Sequence, residues 1–322
     1  MDFQNHPQTP RYQANVVQLL QETHQIIDFG SGQVGFSGLF LEVIHFFEHV
    51  FLTLAQKMMA QEYTYPHLIH TKSLQKHDYL LHFPHLIAFA LPVIQDQQTL
   101  QIFMATIQAN PSANINAYLQ HPPEWILRPA VCFHVYEQLD GCCLHPNAPL
   151  IFTTQGRCFR HEEKPVIPSR LRVFTMREVV FIGSADFVSH QRQKMISLTQ
   201  NLVKALDLQA HLETATDPFF TDSKRMGLYQ KLGKLKYEMH LNIPYEGGTI
   251  AATSFNIHND FFTKAHNISS QTETPIATGC VAFGIERWAY AFLAQHGPDK
   301  QNWPVNLDNR DQLLQHIWEP GC

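Results

Sequence analysis

RCFRHEEKPVIPSRLRVFTMRE, residues 157–178, holds six of the chain's 23 lysines and arginines. In an extended segment alternate side chains share a face, so Arg160 and Glu162 project together, as do Arg170, Arg172 and Glu178. Pro165 and Pro168 mark the turn between two such strands. Guanidinium groups converging from both arms of a hairpin repel one another unless a polyanion sits between them. A nucleoside triphosphate meets that demand.

Outward from this hairpin, the 322-residue chain has 44% apolar residues and a net charge of −5. That is enough to bury a substantial core, and it argues against both disorder and a broad basic surface for nucleic acid. The opening MDFQNHPQTPR lacks the charged and apolar regions of a secretory leader. The apolar run near 36–55 is broken by Glu42, His45, Glu48 and His49, so no membrane span is expected and the reading is cytoplasmic. No repeat or low-complexity linker divides the chain. The expectation is one domain over 1–322, with a mainly helical part at about 1–125 and a motif-bearing core at about 126–297.

Apolar spacing predicts helices over 12–28 and roughly 38–60, and again over 186–206 and 285–296, the last ending at Gly297. From Pro129 the character changes. AVCFHVYEQL (130–139), LIFTTQGRCFRH (150–161), LRVFTMREVVFIGS (171–184) and IAATSFNIHNDFF (250–262) are rich in β-branched and aromatic residues and read as strands. The predicted fold class is α+β, a mostly antiparallel sheet flanked by helices.

Six cysteines without disulfide spacing read as thiols or metal ligands. Cys142, Cys143, Cys158 and Cys322 are assigned to packing, which leaves Cys132 and Cys280. The 20 histidines read mostly as surface or satisfied core residues.

FRHE (159–162), the short loop and RLRVFTMREVVFIG (170–183) resemble motif 2 of the class II aminoacyl-tRNA synthetases, and CVAFGIERW (280–288) resembles their motif 3. In motif 3 Cys280 and Ala282 replace two of the usual alternating glycines, leaving Gly284, Glu286 and Arg287. A cysteine there, with Cys132 and Glu178 elsewhere, is similar to the zinc site of the atypical seryl-tRNA synthetases and of their truncated relatives, the amino acid:[carrier protein] ligases. The resemblance covers about 125–295.

It implies Zn2+ held by Cys132, Glu178 and Cys280, one ligand short of a closed structural site. The open position suits the α-amino group of a small amino acid, glycine or alanine. His134 is the one residue named as a fourth protein ligand, on the assumption that it shares a strand face with Cys132. For ATP with Mg2+, the resemblance implies Arg160 and Arg287 as catalytic residues. Arg160 would bridge the α-phosphate and the substrate carboxylate, Glu162 would meet the adenine amine or orient the arginines, and Arg170 would reach the outer phosphates. Leu171, Lys236, Ala251, Ala252 and Thr253 would complete the ATP contacts. Arg172 and Arg177 stay open between this role and ordinary ion-paired strand residues.

The chemistry implied is formation of an aminoacyl adenylate, then transfer to the phosphopantetheine thiol of a carrier protein by a homodimer. With about 125 near-neutral or acidic residues before the core, an RNA-binding arm is not evident and tRNA is the less favoured acceptor. A tRNA synthetase working with a separate RNA-binding partner, or a non-catalytic paralogue sensing ATP or an amino acid, are the alternatives. FFTDSKRMGLYQKLGKLK (219–236), with its basic residues, is the expected docking segment for an acidic carrier.

Overall fold

Strict alternation along VVFI (179–182) is what builds the centre of the molecule. Val179 and Phe181 enter one apolar cluster and Val180 and Ile182 another, as a strand covered on both faces requires. The computed structural model describes residues 3–6, 11–217, 233–307 and 309–318. Its principal elements are β1 (Phe3–Asn5), α1 (Val16–Glu22), α2 (Gly38–Lys57), β2 (Gln61–Tyr63), α3 (Gln97–Ala109), α4 (Phe133–Gln138), β3 (Leu150–Phe159), β4 (Val173–Gly183), α5 (Ala185–Ala205), β5 (Ala210–Thr214), β6 (Lys236–Ile243), β7 (Gly248–Asn259), α6 (Phe261–Ala265), β8 (Ala277–Gly284), α7 (Ile285–His296) and α8 (Arg310–Trp318). The eight strands form one sheet in the order β1-β5-β6-β7-β8-β4-β3-β2. Only the β2–β3 pair is parallel. A three-stranded sheet of Leu68–His70, Trp125–Leu127 and Phe89–Ala90 stands apart.

Helices α2, α5 and α7 cover one face of the large sheet. Phe51 of α2 stacks on Phe283 of β8 with centroids 4.1 Å apart, and Phe47 lies 5.5 Å from Trp288 of α7. α2 is long and apolar enough to span a bilayer by length and composition, yet Phe40, Phe46, Phe47, Val50, Phe51 and Leu54 are buried in this cluster, the burial of a core helix. The polar residues that interrupt its sequence are used at the edge: Glu42 pairs with Lys300 and Glu48 lies 3.8 Å from Arg177.

Three expectations need correction. AVCFHVYEQL is not a strand: Phe133–Gln138 form α4, with Cys132 at its N-cap. Phe133, His134, Val135 and Tyr136 are all buried, so the segment is apolar on every side and periodicity could not separate strand from helix. The helix predicted over 12–28 stops at Glu22, where Thr23 caps it, and Ile26–Asp28 is a strand paired with Val34–Phe36. β3 ends at Phe159 and β4 starts at Val173, so Arg160, Glu162, Arg170 and Arg172 lie in the connecting loop and not on strand faces. Two prolines and a backbone bridge between Val166 and Arg170 make that loop a structure of its own.

Arg128 and Gly156 illustrate how tightly β3 is packed. Arg128 is 1% exposed and donates from Nε to the Arg157 carbonyl at 3.0 Å and from Nη1 to the Tyr65 carbonyl at 3.2 Å. A Cβ on Gly156 would lie 1.7 Å from Arg128 Nη2. Gly156→Ala is therefore expected to displace the guanidinium and lower stability by about 1–3 kcal/mol, the usual cost of overpacking, read as a lower midpoint in urea unfolding.

Candidate functional site

On the face of the sheet away from α2 and α7, a cleft of about 1880 Å3 runs from the β3–β4 loop across β7 and β8 to α4 and α6. Its floor follows from strand alternation. In β8, Val281 and Phe283 point into the helical core, so Cys280, Ala282 and Gly284 line the cleft. Glu178 pairs with Ala282 and Val180 with Cys280, so Glu178 and Cys280 are diagonal neighbours on one face. Cys132 reaches them from the first turn of α4.

The donor atoms of Cys132, Glu178 and Cys280 all lie within 4.8 Å of one another, and all three residues are buried. Glu178 Oε1 accepts from the Val131 amide at 3.2 Å, whereas Oε2 is buried without a hydrogen-bond partner. Burial, then the neighbouring Cys280, pushes the Glu178 carboxyl up to about 8. The Cys132–Cys280 side-chain interaction, with burial, holds the Cys132 thiol well above the ordinary range. The same interaction holds Cys280 well below it. Two sulfurs, an orphaned carboxylate oxygen and no buried cation among them fit a borderline-soft metal ion such as zinc. His134 takes no part: its Nε2 lies 3.2 Å from the Leu68 carbonyl, because a helix carries residue i+2 away from the face of residue i.

Asn256 and His258 of β7 are the residues that the sequence analysis missed. Asn256 sits opposite Cys280 and donates to its sulfur at 3.4 Å. His258 Nε2 lies 3.7 Å from the same sulfur, and its Nδ1 is 3.3 Å from both Tyr136 Oη and Thr278 Oγ1. Their signal was legible: in SFNIHN, residues 254–259, polar residues alternate with Phe255 and Ile257.

At the other end of the cleft the arginines converge. Arg160 donates from Nε to the Pro129 carbonyl at 3.1 Å, and its guanidinium lies 5.1 Å from the centre of the Phe174 ring. Among the described residues its terminal nitrogens have no acceptor. Arg170 lies 3.9 Å from Glu162, and Arg172 donates to the Glu162 carbonyl at 2.9 Å. Arg287 donates to the carbonyls of Ser169 at 2.8 Å and Ala251 at 2.7 Å. Burial first, and then the positive charge of Arg160, brings Arg287 down to about 10. Leu171 and Ala252 line the same cleft. Lys236 Nζ is held by Asp217 at 2.6 Å and Glu238 at 3.1 Å. Burial opposes its charge, and these two carboxylates outweigh burial to raise its pKa.

Thr253 and Ser254 also line the cleft, and the Thr253 hydroxyl accepts from Trp288 Nε1 at 2.9 Å. Arg177 is 2% exposed and pairs with Glu62 at 3.0 Å, so it is an ion-paired strand residue. Glu286 accepts from the Thr175 amide at 2.8 and 2.9 Å, tying the start of α7 to the motif-bearing hairpin. Cys158 is fully buried. Cys322 and residues 219–232 of the expected docking segment lie outside the described residues.

The description "tRNA synthetase class II core domain (G, H, P, S and T)" matches residues 120–296. The chain is 30% identical over 254 residues to an amino acid–[acyl-carrier-protein] ligase of Bradyrhizobium diazoefficiens, covering 79% of this chain and 77% of that protein. It is 28% identical over 274 residues to a type-2 serine–tRNA ligase of Methanocaldococcus jannaschii, covering 82% of this chain and 52% of that protein. Among solved structures, M. kandleri SerRS in complex with A. aeolicus tRNASec superposes with a TM-score of 0.86 at 21% identity, over 96% of this chain and 62% of that one.

Proposed function

We propose, for a chain that belongs to the amino acid–[acyl-carrier-protein] ligases of the class II synthetase core family, that this ATP-dependent ligase activates glycine or alanine and passes it to the phosphopantetheine thiol of a carrier protein. The observation that carries this reading is the pairing, in one cleft, of the buried Cys132–Glu178–Cys280 triad with the Arg160 guanidinium, whose terminal nitrogens have no acceptor among the described residues.

Zinc bound by the triad would supply an open coordination position for the α-amino group, holding it away from the reacting carbonyl. Asn256 and His258 would fix Cys280 through its sulfur, the usual work of groups around a metal ligand. Arg160, which lines the same cleft, would receive the substrate carboxylate. A carboxylate oxygen attacks the α-phosphorus of ATP, forming the O–P bond as the bond from that phosphorus to the bridging oxygen breaks, and the electron pair leaves with pyrophosphate. Arg160 can address the carboxylate and the α-phosphate at once because its two terminal nitrogens lie in one plane. Arg170 and Arg287 would neutralise the outer phosphates, with Mg2+ arriving on ATP. In the second step the acceptor thiolate attacks the carbonyl carbon and AMP departs.

The preference for a small amino acid rests on the walls near the triad, where Met176, Phe262 and Phe133 line the cleft. A bulky side chain would be excluded sterically, the stronger form of discrimination for small apolar substrates. The acceptor is tested by offering the protein ATP and glycine together with holo-carrier protein, apo-carrier protein and tRNA. Hydroxylamine-labile glycine on the holo-carrier alone is the expected result. Charging of tRNA with an untouched carrier would overturn the acceptor and favour the activity named for the type-2 serine–tRNA ligases.

A further inference from the structure

Two histidines and two glutamates form a square on the β5–β6 ladder that the ligase reaction leaves unused. His211 sits opposite His240 and Glu213 opposite Glu238 in the antiparallel register. Residues two apart on a strand share a face, so all four side chains emerge together.

His240 Nε2 lies 3.1 Å from Glu213 Oε1 and 3.6 Å from Glu238 Oε2, and His211 Nε2 lies 3.8 Å from Glu213 Oε2. Donor atoms around tetrahedral zinc stand roughly 3.3 Å apart when each bond is close to 2.0–2.1 Å. The observed separations bracket that value. Donors of His211, Glu213 and His240 all fall within 4.8 Å of one another.

Two further features favour a cation over simple ion pairing. The imidazole rings of His211 and His240 stack with centroids 5.2 Å apart and planes 21° apart, which brings two nitrogen ligands side by side on one face of the ladder. His240 Nε2 is a buried atom without a hydrogen-bond partner, while the opposite nitrogen, Nδ1, lies 3.3 Å from Thr249 Oγ1. A ring with one nitrogen beside a hydroxyl and the other facing two carboxylates is set up as a ligand. Among the described residues no lysine or arginine pairs with Glu213.

We infer that this square is a second divalent-cation site, built for zinc or a similar borderline ion. His211, Glu213 and His240 are its ligands, and Glu238 completes it. Unlike the triad of the cleft it contains no sulfur. Glu238 also holds Lys236 at 3.1 Å through its other oxygen, so the site adjoins the cleft.

The test uses the full chain, stripped with chelator and titrated with Co2+ or Zn2+ alone. Two equivalents of zinc per chain are expected by elemental analysis of the wild type, and one after His240→Ala or after His211→Ala combined with Glu213→Gln. With cobalt, the near-ultraviolet thiolate-to-metal band reports the cleft triad and is expected to survive in both histidine variants. Thermal melting of the metal-free variants verifies that each is folded. A wild type that binds one equivalent, or variants that keep the wild-type stoichiometry, would overturn the inference.

Discussion

Arg160→Ala is expected to lower amino-acid-dependent pyrophosphate exchange by about 10²–10³-fold, the scale on which one preorganised charged donor acts at a developing charge. The loss should fall on the rate more than on ATP affinity, because Arg170 and Arg287 remain. Arg160→Lys is expected to recover little. A lysine offers a compact point charge and cannot bridge two oxygen groups in one plane, nor donate to the Pro129 carbonyl at 3.1 Å while its head addresses substrate. Steady-state exchange rates measured against both ATP and amino acid separate these terms. An Arg160→Ala protein with wild-type exchange would remove the arginine from the reaction.

The second large effect belongs to the triad. Cys280→Ser and Glu178→Gln are each expected to strip zinc from the cleft and to reduce exchange by at least about 10²-fold, since second-sphere changes alone cost metal sites 10–100-fold. Glu178 adds a pH signature in the metal-free protein. Its carboxyl lies at about 8 in the fold and near 4.3 when unfolded. The folded state therefore binds the extra proton, and stability is fully retained below the unfolded value and lost as pH rises toward 8. Melting temperatures of metal-free wild type and Glu178→Gln, compared at pH 6 and pH 8, should differ in slope, with the wild type falling more. Equal slopes would mean that Glu178 is not the buried proton carrier. Zinc should abolish the difference, because the ion replaces the proton.

Much of this was legible in the sequence, for reasons that differ by segment. β4 and α7 carry period-2 and period-3.6 patterns strong enough to give type and approximate extent; α7 runs over Ile285–His296, as the spacing to Gly297 predicts, whereas β8, Ala277–Gly284, was quoted for its motif and not read as a strand. Arg160, Arg170 and Arg287 do share one cleft, but strand alternation was the wrong reason for the hairpin arginines, which a proline-shaped loop positions. Segment 130–139 failed because burial on all sides erases periodicity. Asn256 and His258 went unread because the face of β7 was not assigned; the alternation, read from Phe255, turns both toward the cleft. The packing of Arg128 across Gly156 is a long-range pairing that no local pattern encodes.

Exchange of labelled pyrophosphate into ATP, run with each of the twenty amino acids on zinc-loaded and metal-stripped protein, addresses adenylation by this cleft most directly. Exchange confined to glycine, alanine or another small amino acid, lost on stripping and restored by zinc, is the expected outcome. No exchange with any amino acid in the zinc-loaded protein would contradict it, and would leave a class II fold that binds without activating.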